Sequence, residues 1–242
     1  MYHSAIAKRG VTSLLCLKHI KKNFGSASVL KDVNLTVKGG DVICIAGKNA
    51  AGKTTLLNIA AGIQKADSGE VIFDKKPSLL TQEPAVLPRL SVEDNLRLWY
   101  AAADIPWRGF DMELCEFMPQ LFEQRKKRAE KLSGGMKKRL SIACSLAVRA
   151  DILLFDEPFA ALDPEGCLLL TGLISRLKAE NKAICFTSHE PQHIADTADE
   201  LFLLKNGFLE QAATLNNIFA EKRRQAVLSA LFGDNTGGTN DE

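Results

Sequence analysis

Between Asp41 and Leu57 the chain reads Asp-Val-Ile-Cys-Ile-Ala-Gly-Lys-Asn-Ala-Ala-Gly-Lys-Thr-Thr-Leu-Leu. An apolar run, Val42 to Ala46, feeds a glycine-bounded turn, and the turn opens into a helical pattern. Gly47, Gly52, Lys53 and Thr54 satisfy the spacing G-x-x-x-x-G-K-[ST] in the strand–loop–helix context that gives this motif its meaning. The physical reading is a cradle for phosphate. Backbone N–H groups of residues 49–54 point inward, and a helix starting near Lys53 offers unpaired N–H groups and a positive dipole end. Lys53 reaches the outer phosphates and the Thr54 hydroxyl meets Mg²⁺. The implied ligand is a nucleoside triphosphate.

The surrounding pattern argues for an α/β core. Three further uninterrupted apolar runs, Ile152 to Phe155, Ala183 to Thr187 and Leu201 to Leu204, suit strands of a parallel sheet covered on both faces. A helix separates the first two, with Asp163 as N-cap, Pro164 at its first position, and an apolar set of Leu168, Leu169, Leu173, Ile174 and Leu177. Strand–helix–strand alternation of this kind makes a mostly parallel sheet. Before the loop, Leu14 to Phe24 and Ala27 to Val37 alternate apolar and polar residues, as half-solvated antiparallel strands do. Gly39-Gly40 makes the turn into the buried strand. The helix after the loop is expected to end at Gly62, and Gly69 to Phe73 reads as another short strand.

From Pro84 to Lys131 no buried-type strand appears. Ser91 N-caps a helix with Glu93 and Asp94 in its first turn, Met112 to Phe122 forms a second apolar-periodic segment, and Arg125 to Arg128 is basic. This span reads as an inserted helical lobe, closed by Leu132-Ser133-Gly134-Gly135 at the start of a helix with Leu140, Ala143, Cys144 and Ala147 on one face. Residues 1–11 read as a loose extension, and the polar stretch after Gly233 as disordered.

Composition removes several alternatives. With 31 basic and 29 acidic residues the net charge is +2, so nothing favours nucleic acid as a partner. No apolar run approaches the ~18 residues of a membrane span, so a membrane role has to come through a partner. The six cysteines show no C-x-x-C pairing and several lie inside apolar runs, which points to a reduced, cytoplasmic chain without structural zinc.

A second constellation stands at a strand end. Asp156-Glu157 closes the run Ile-Leu-Leu-Phe, and Ser188-His189 follows another. Ligands of open parallel sheets sit at the carboxyl ends of strands. Adjacent carboxylates there have separate uses: Asp156 helps to hold Mg²⁺, and Glu157 reaches the water that attacks the γ-phosphate.

Taken in order, these motifs resemble the nucleotide-binding subunit of an ATP-binding cassette (ABC) transporter over roughly residues 12–212. Residues 47–54 resemble its Walker A motif, Gln82 its Q-loop, Leu132 to Gly135 its signature, Ile152 to Glu157 its Walker B, Ala161 to Asp163 its D-loop, and His189 its switch histidine. Phe24 lies where the family places an aromatic that stacks on adenine. The resemblance implies a P-loop NTPase core with an N-terminal antiparallel β-subdomain, a helical subdomain at about 84–140, a C-terminal helical segment at 213–232 and a tail at 233–242. It implies that Gly47, Lys48, Asn49, Ala50, Ala51, Gly52, Lys53, Thr54 and Thr55 hold ATP, and that Thr54, Gln82 and Asp156 serve Mg²⁺. Glu157, His189 and Gln82 would carry out hydrolysis, while Ser133, Gly134 and Gly135 would meet the ATP of a second copy or a related cassette. Asp163 would span that dimer interface. The implied activity is ATP hydrolysis that drives separate transmembrane permease subunits from the inner face of the membrane. The rival class is a non-transport ABC-type ATPase acting on ribosomes or DNA, which usually carries two cassettes or a long insertion absent here. Three residues depart from the family pattern: Ala50 replaces a glycine, Lys48 a proline and Met136 a glutamine.

Overall fold

The computed structural model describes residues 13–109 and 119–233. Most of the expected segment Met112 to Phe122, the N-terminal extension and the tail after Gly233 lie outside the described residues. The first strands, β1 (Ser13–Phe24) and β2 (Ala27–Lys38), pair antiparallel; with β4 (Ser68–Phe73) they form a three-stranded sheet of order β2-β1-β4. The alternation in β2 is what a sheet with one covered face requires: Leu30, Val33, Leu35 and Val37 are buried between exposed neighbours.

The second sheet has six strands in the order β5-β6-β7-β3-β8-β9. These are β3 (Val42–Ala46), β5 (Ser78–Leu80), β6 (Ile152–Phe155), β7 (Ala183–Thr187), β8 (Glu200–Lys205) and β9 (Phe208–Thr214). All pairings are parallel except β8 with β9. β3 is buried along its whole length and divides its side chains by the period of two. Val42, Cys44 and Ala46 enter one core; Ile43 and Ile45 enter the other, beneath the antiparallel sheet. Each such aliphatic side chain contributes about 1.5–3 kcal/mol by leaving water.

The α-helices among the described residues are α1 (Lys53–Ala60), α2 (Val92–Ala102), α3 (Pro119–Glu123), α4 (Gly134–Ala147), α5 (Pro164–Ala179), α6 (Pro191–Thr197) and α7 (Ala220–Phe232). Ser91 caps α2, its side chain accepting from Asp94 N–H, and Asp163 caps α5, accepting from Gly166 N–H.

Several boundaries differ from expectation. α1 stops at Ala60, because Ala61 already caps it and Gly62 turns the chain away with φ +70°. The helix that opens with Gly134 continues past residue 140 to Ala147. Residues 213–214 finish β9, and the C-terminal helix begins only at Ala220. In α5, Leu168 is 75% exposed, whereas Leu170, Leu173, Ile174 and Leu177 follow the helical period into the core. β5 was not expected at all. It has three residues, and pairing with β6 rather than any pattern of its own makes it a strand.

Candidate functional site

The loop between β3 and α1 is held by close backbone approach at both glycines. A Cβ on Gly47 would lie 2.6 Å from the Leu204 carbonyl oxygen, and one on Gly52, at φ +103°, would lie 2.7 Å from Val29 Cγ1. Only glycine fits either place. Ala50 nonetheless adopts φ +61°, a left-handed conformation that alanine resists. Gly52 caps α1 with no side-chain acceptor on the first-turn N–H groups, so that helix end is available to an anion. Lys53 is buried, and its Nζ folds back to donate to the carbonyls of Gly47 (2.9 Å) and Lys48 (3.2 Å), tying the two ends of the loop together.

The neighbouring strand ends bring the second group of residues. Asp156 follows β6, and each of its carboxylate oxygens accepts one hydroxyl: Oδ2 from Thr54 Oγ1 (2.7 Å) and Oδ1 from Thr187 Oγ1 (2.7 Å). Thr187 ends β7 and also accepts from Glu157 N–H at 2.8 Å. Glu157 sits at φ +47°, outside the usual region for a glutamate, so this hydroxyl stabilises a strained residue. His189 Nδ1 lies 3.3 Å from Glu157 Oε1. Thr187 was not foreseen as a site residue; the available signal was a hydroxyl closing an otherwise apolar strand at its carboxyl end.

A cavity of about 370 Å³ is lined by Asn49, Ala50, Gly52, Lys53, Thr54, Thr55, Gln82, Asp156, Glu157 and Val29; Thr187 and His189 touch two of these residues without lining it. Gly47, Lys48 and Ala51 belong to the loop without lining the cavity. Phe24 ends β1 with half its surface exposed and Lys22 Nζ 5.6 Å from its ring centroid. In the adjacent strands β3 and β7, burial pushes the Cys44 thiol well above its usual range, and burial lifts Cys185 to about 12. Both behave as small hydrophobes.

Ser133, Gly134 and Gly135 do not line this cavity. They start α4, where the Ser133 hydroxyl accepts from Met136 N–H and leaves Ser133 and Gly134 exposed. The D-loop packs beside them: a Cβ on Gly135 would lie 3.0 Å from the Ala161 carbonyl oxygen. Asp163 is held by Arg139, whose Nη2 donates to Oδ1 at 2.6 Å; this bond, then Gly166 N–H, holds the carboxyl below its usual range. Lys138, on the same helix, is 1% exposed, and burial pulls its ammonium down to about 8 against the charges of Asp156, Glu157 and Glu83.

A match to the family described as ABC transporter spans residues 30–160, more than half of the chain. The chain belongs to the ABC transporter family. Relatives of this cassette include the sulfate/thiosulfate import ATP-binding protein CysA of Halalkalibacterium halodurans, 28% identical over 235 residues, covering 90% of this chain and 66% of that protein. The CysA protein of Shigella flexneri is 31% identical over 236 residues, covering 89% and 64% respectively. The cassette therefore spans about two-thirds of the length of these relatives. Among solved structures, a nucleotide-free ATP-binding cassette from an ABC transporter superposes with a TM-score of 0.73 at 25% identity, covering 90% of this chain and 95% of that one. A bacterial ABC transporter cassette described as dimeric shares the fold with a TM-score of 0.74 at 23% identity, over 84% of this chain and 100% of that one. The two sheets, with α/β alternation and a separate antiparallel layer, are those of an ABC ATPase cassette.

Proposed function

We propose that this cassette binds and hydrolyses ATP and drives transport through separate transmembrane permease subunits. The observation that carries the proposal is the convergence of the loop, Gln82, Asp156 and Glu157 on one cavity, with Thr54 hydrogen-bonded to Asp156. In this reading Asn49 to Thr55 present N–H groups and the α1 dipole to the phosphates. Lys53 exchanges its two carbonyl partners for the outer phosphates. Phe24, exposed at the hairpin, offers a ring face to the adenine.

Hydrolysis of this kind needs positioning and charge stabilisation more than covalent chemistry. Glu157 accepts a proton from the attacking water as its oxygen approaches the γ-phosphorus and the bond to the ADP oxygen breaks. His189, 3.3 Å from Oε1, orients that carboxylate and reaches toward the γ-phosphate. Thr54, Asp156 and Gln82 supply hydroxyl, carboxylate and amide oxygens to one cavity, a donor set suited to Mg²⁺. Mg²⁺, when bound, would neutralise charge between the β- and γ-phosphates.

The exposed Ser133 and Gly134, outside the cassette's own cavity, fit a head-to-tail pair in which they contact ATP held by a second copy or a related cassette. Asp163 and its loop then lie at the interface. The helical lobe, about 84–140, relays closure to the permease. No helix among the described residues is long and apolar enough to cross a membrane; in this proposal the chain is a cytoplasmic subunit held peripherally at the inner face of the cell membrane. The names of the relatives, import ATP-binding proteins, favour this over action on ribosomes or DNA. Replacing Glu157 by Gln tests it: ATP binding should persist, hydrolysis should stop, and ATP should trap a dimer on size-exclusion chromatography. Normal turnover in that variant would remove Glu157 from its role.

A further inference from the structure

One face of α4 is fastened to the segment that carries Gln82. Residues 138, 141 and 145 follow one another at helical spacing, and all three are buried polar side chains. Lys138 Nζ donates to the carbonyls of Gln82 (3.1 Å) and Thr81 (3.4 Å). Ser141 Oγ accepts from Ala85 N–H at 3.0 Å, and the Ser145 carbonyl accepts from Ser78 Oγ at 2.7 Å. The segment from β5 to residue 85 is thereby held along α4 at its start, middle and end. The middle attachment is the one that grips Gln82 itself.

We infer that Lys138 is a positioning residue for Gln82, fixing the peptide groups on either side of the Thr81–Gln82 junction so that the glutamine amide enters the cavity. The inference rests on the reading of Gln82 as a cavity ligand. Its physical basis is the fixed direction of a peptide group. A carbonyl held by a buried donor cannot rotate without costing that donor a hydrogen bond away from water, so the backbone torsions beside it are restrained. Ser141 and Ser145 restrain the flanks but touch neither carbonyl. Because Lys138 stands five residues after Ser133 on one rigid helix, a shift of the signature end of α4 is delivered to Gln82 through the ammonium.

The test is a double-mutant cycle in the purified full chain, with ATPase turnover and ATP affinity both measured. Lys138→Met keeps the bulk of the side chain and removes the donor. It should lower kcat about 10- to 100-fold, the scale expected from misplacing a catalytic contact, with KM changed less than about twofold. Gln82→Ala should lower kcat similarly, and the double variant should be no slower than Gln82→Ala alone. Losses that multiply, or wild-type kcat in Lys138→Met, would overturn the positioning role while leaving Gln82 in the site. Wild-type kcat in Gln82→Ala would instead overturn the reading of Gln82, and the inference with it. If Lys138→Met does not melt cooperatively, Lys138→Gln, which retains an N–H donor, takes its place in the same cycle and should lose less turnover than Gln82→Ala.

Discussion

Thr187 offers a clean separation of polar from apolar contributions at the heart of the site. Its side chain is fully buried; the hydroxyl donates to Asp156 Oδ1 and accepts from Glu157 N–H, while the methyl group packs in the core. Thr187→Val preserves shape and removes both bonds. Leaving the buried Glu157 N–H unpaired costs about 1–3 kcal/mol, and losing a hydrogen bond to a carboxylate costs about 1.5–3 kcal/mol. The extra methyl recovers about 0.8 kcal/mol, so a net destabilisation of about 3 kcal/mol is expected. Thr187→Ser does the reverse: it keeps both bonds, deletes one methyl and should cost only about 1 kcal/mol. Urea unfolding of the two variants against the parent measures both, provided the slope of stability against urea is unchanged. Turnover should fall with Val and survive with Ser, because Glu157 at φ +47° loses its anchor only in the former. A Val variant at least as stable as the Ser variant would refute the reasoning, since methyl packing would then outweigh the hydroxyl relay.

Lys53→Ala should weaken ATP binding more than tenfold by calorimetry, since the ammonium and the loop tie to Gly47 and Lys48 are lost together; unchanged affinity would exclude the cradle. Ala50→Gly removes left-handed strain worth about 1 kcal/mol but adds a similar entropy to the unfolded chain, so stability should barely move. ATP affinity in that variant should fall severalfold, because the freed loop must be ordered on binding, and tighter binding would contradict this. His193 stacks on Phe159 at 4.4 Å between ring centroids, and burial lowers its pKa against the opposing charges of Glu190, Asp196 and Glu157. The unfolded chain therefore takes up this proton first as pH falls below about 7, and stability should decline through about pH 6.5 until the folded form is protonated too. His193→Gln should flatten that slope in thermal melts recorded across the same range.

The sequence disclosed the parts of this molecule whose signal is local. The run Val42 to Ala46 followed by the glycine-bounded loop needed no distant information, and neither did the capping residues Ser91 and Asp163. Asp156 and His189 were legible as strand-end residues because the apolar runs before them were unbroken. What stayed hidden depended on partners remote in sequence. β5 exists because β6 lies beside it; Lys138 looks like one cation in a basic stretch until α4 is laid against residues 81–82; and Thr187 gains its role only when β6 and β7 bring two strand ends together. The exposed Leu168 shows the opposite failure, where apolar character alone overstated burial.

The central position of β3 has a consequence for how the chain reaches this state. Val42 pairs with Ile184 and Ala46 with Leu203, more than half the chain away, whereas β1 and β2 close as a local hairpin. During synthesis at ~5–20 residues per second, β3 waits on the order of 10 s before either neighbouring strand has been made. Until then a fully apolar strand has two open edges, the arrangement most prone to pairing with the wrong chain. The lysine clasp, between residues five and six apart, can form locally, but the close approach of Gly47 to the Leu204 carbonyl has to wait until β8 has been made.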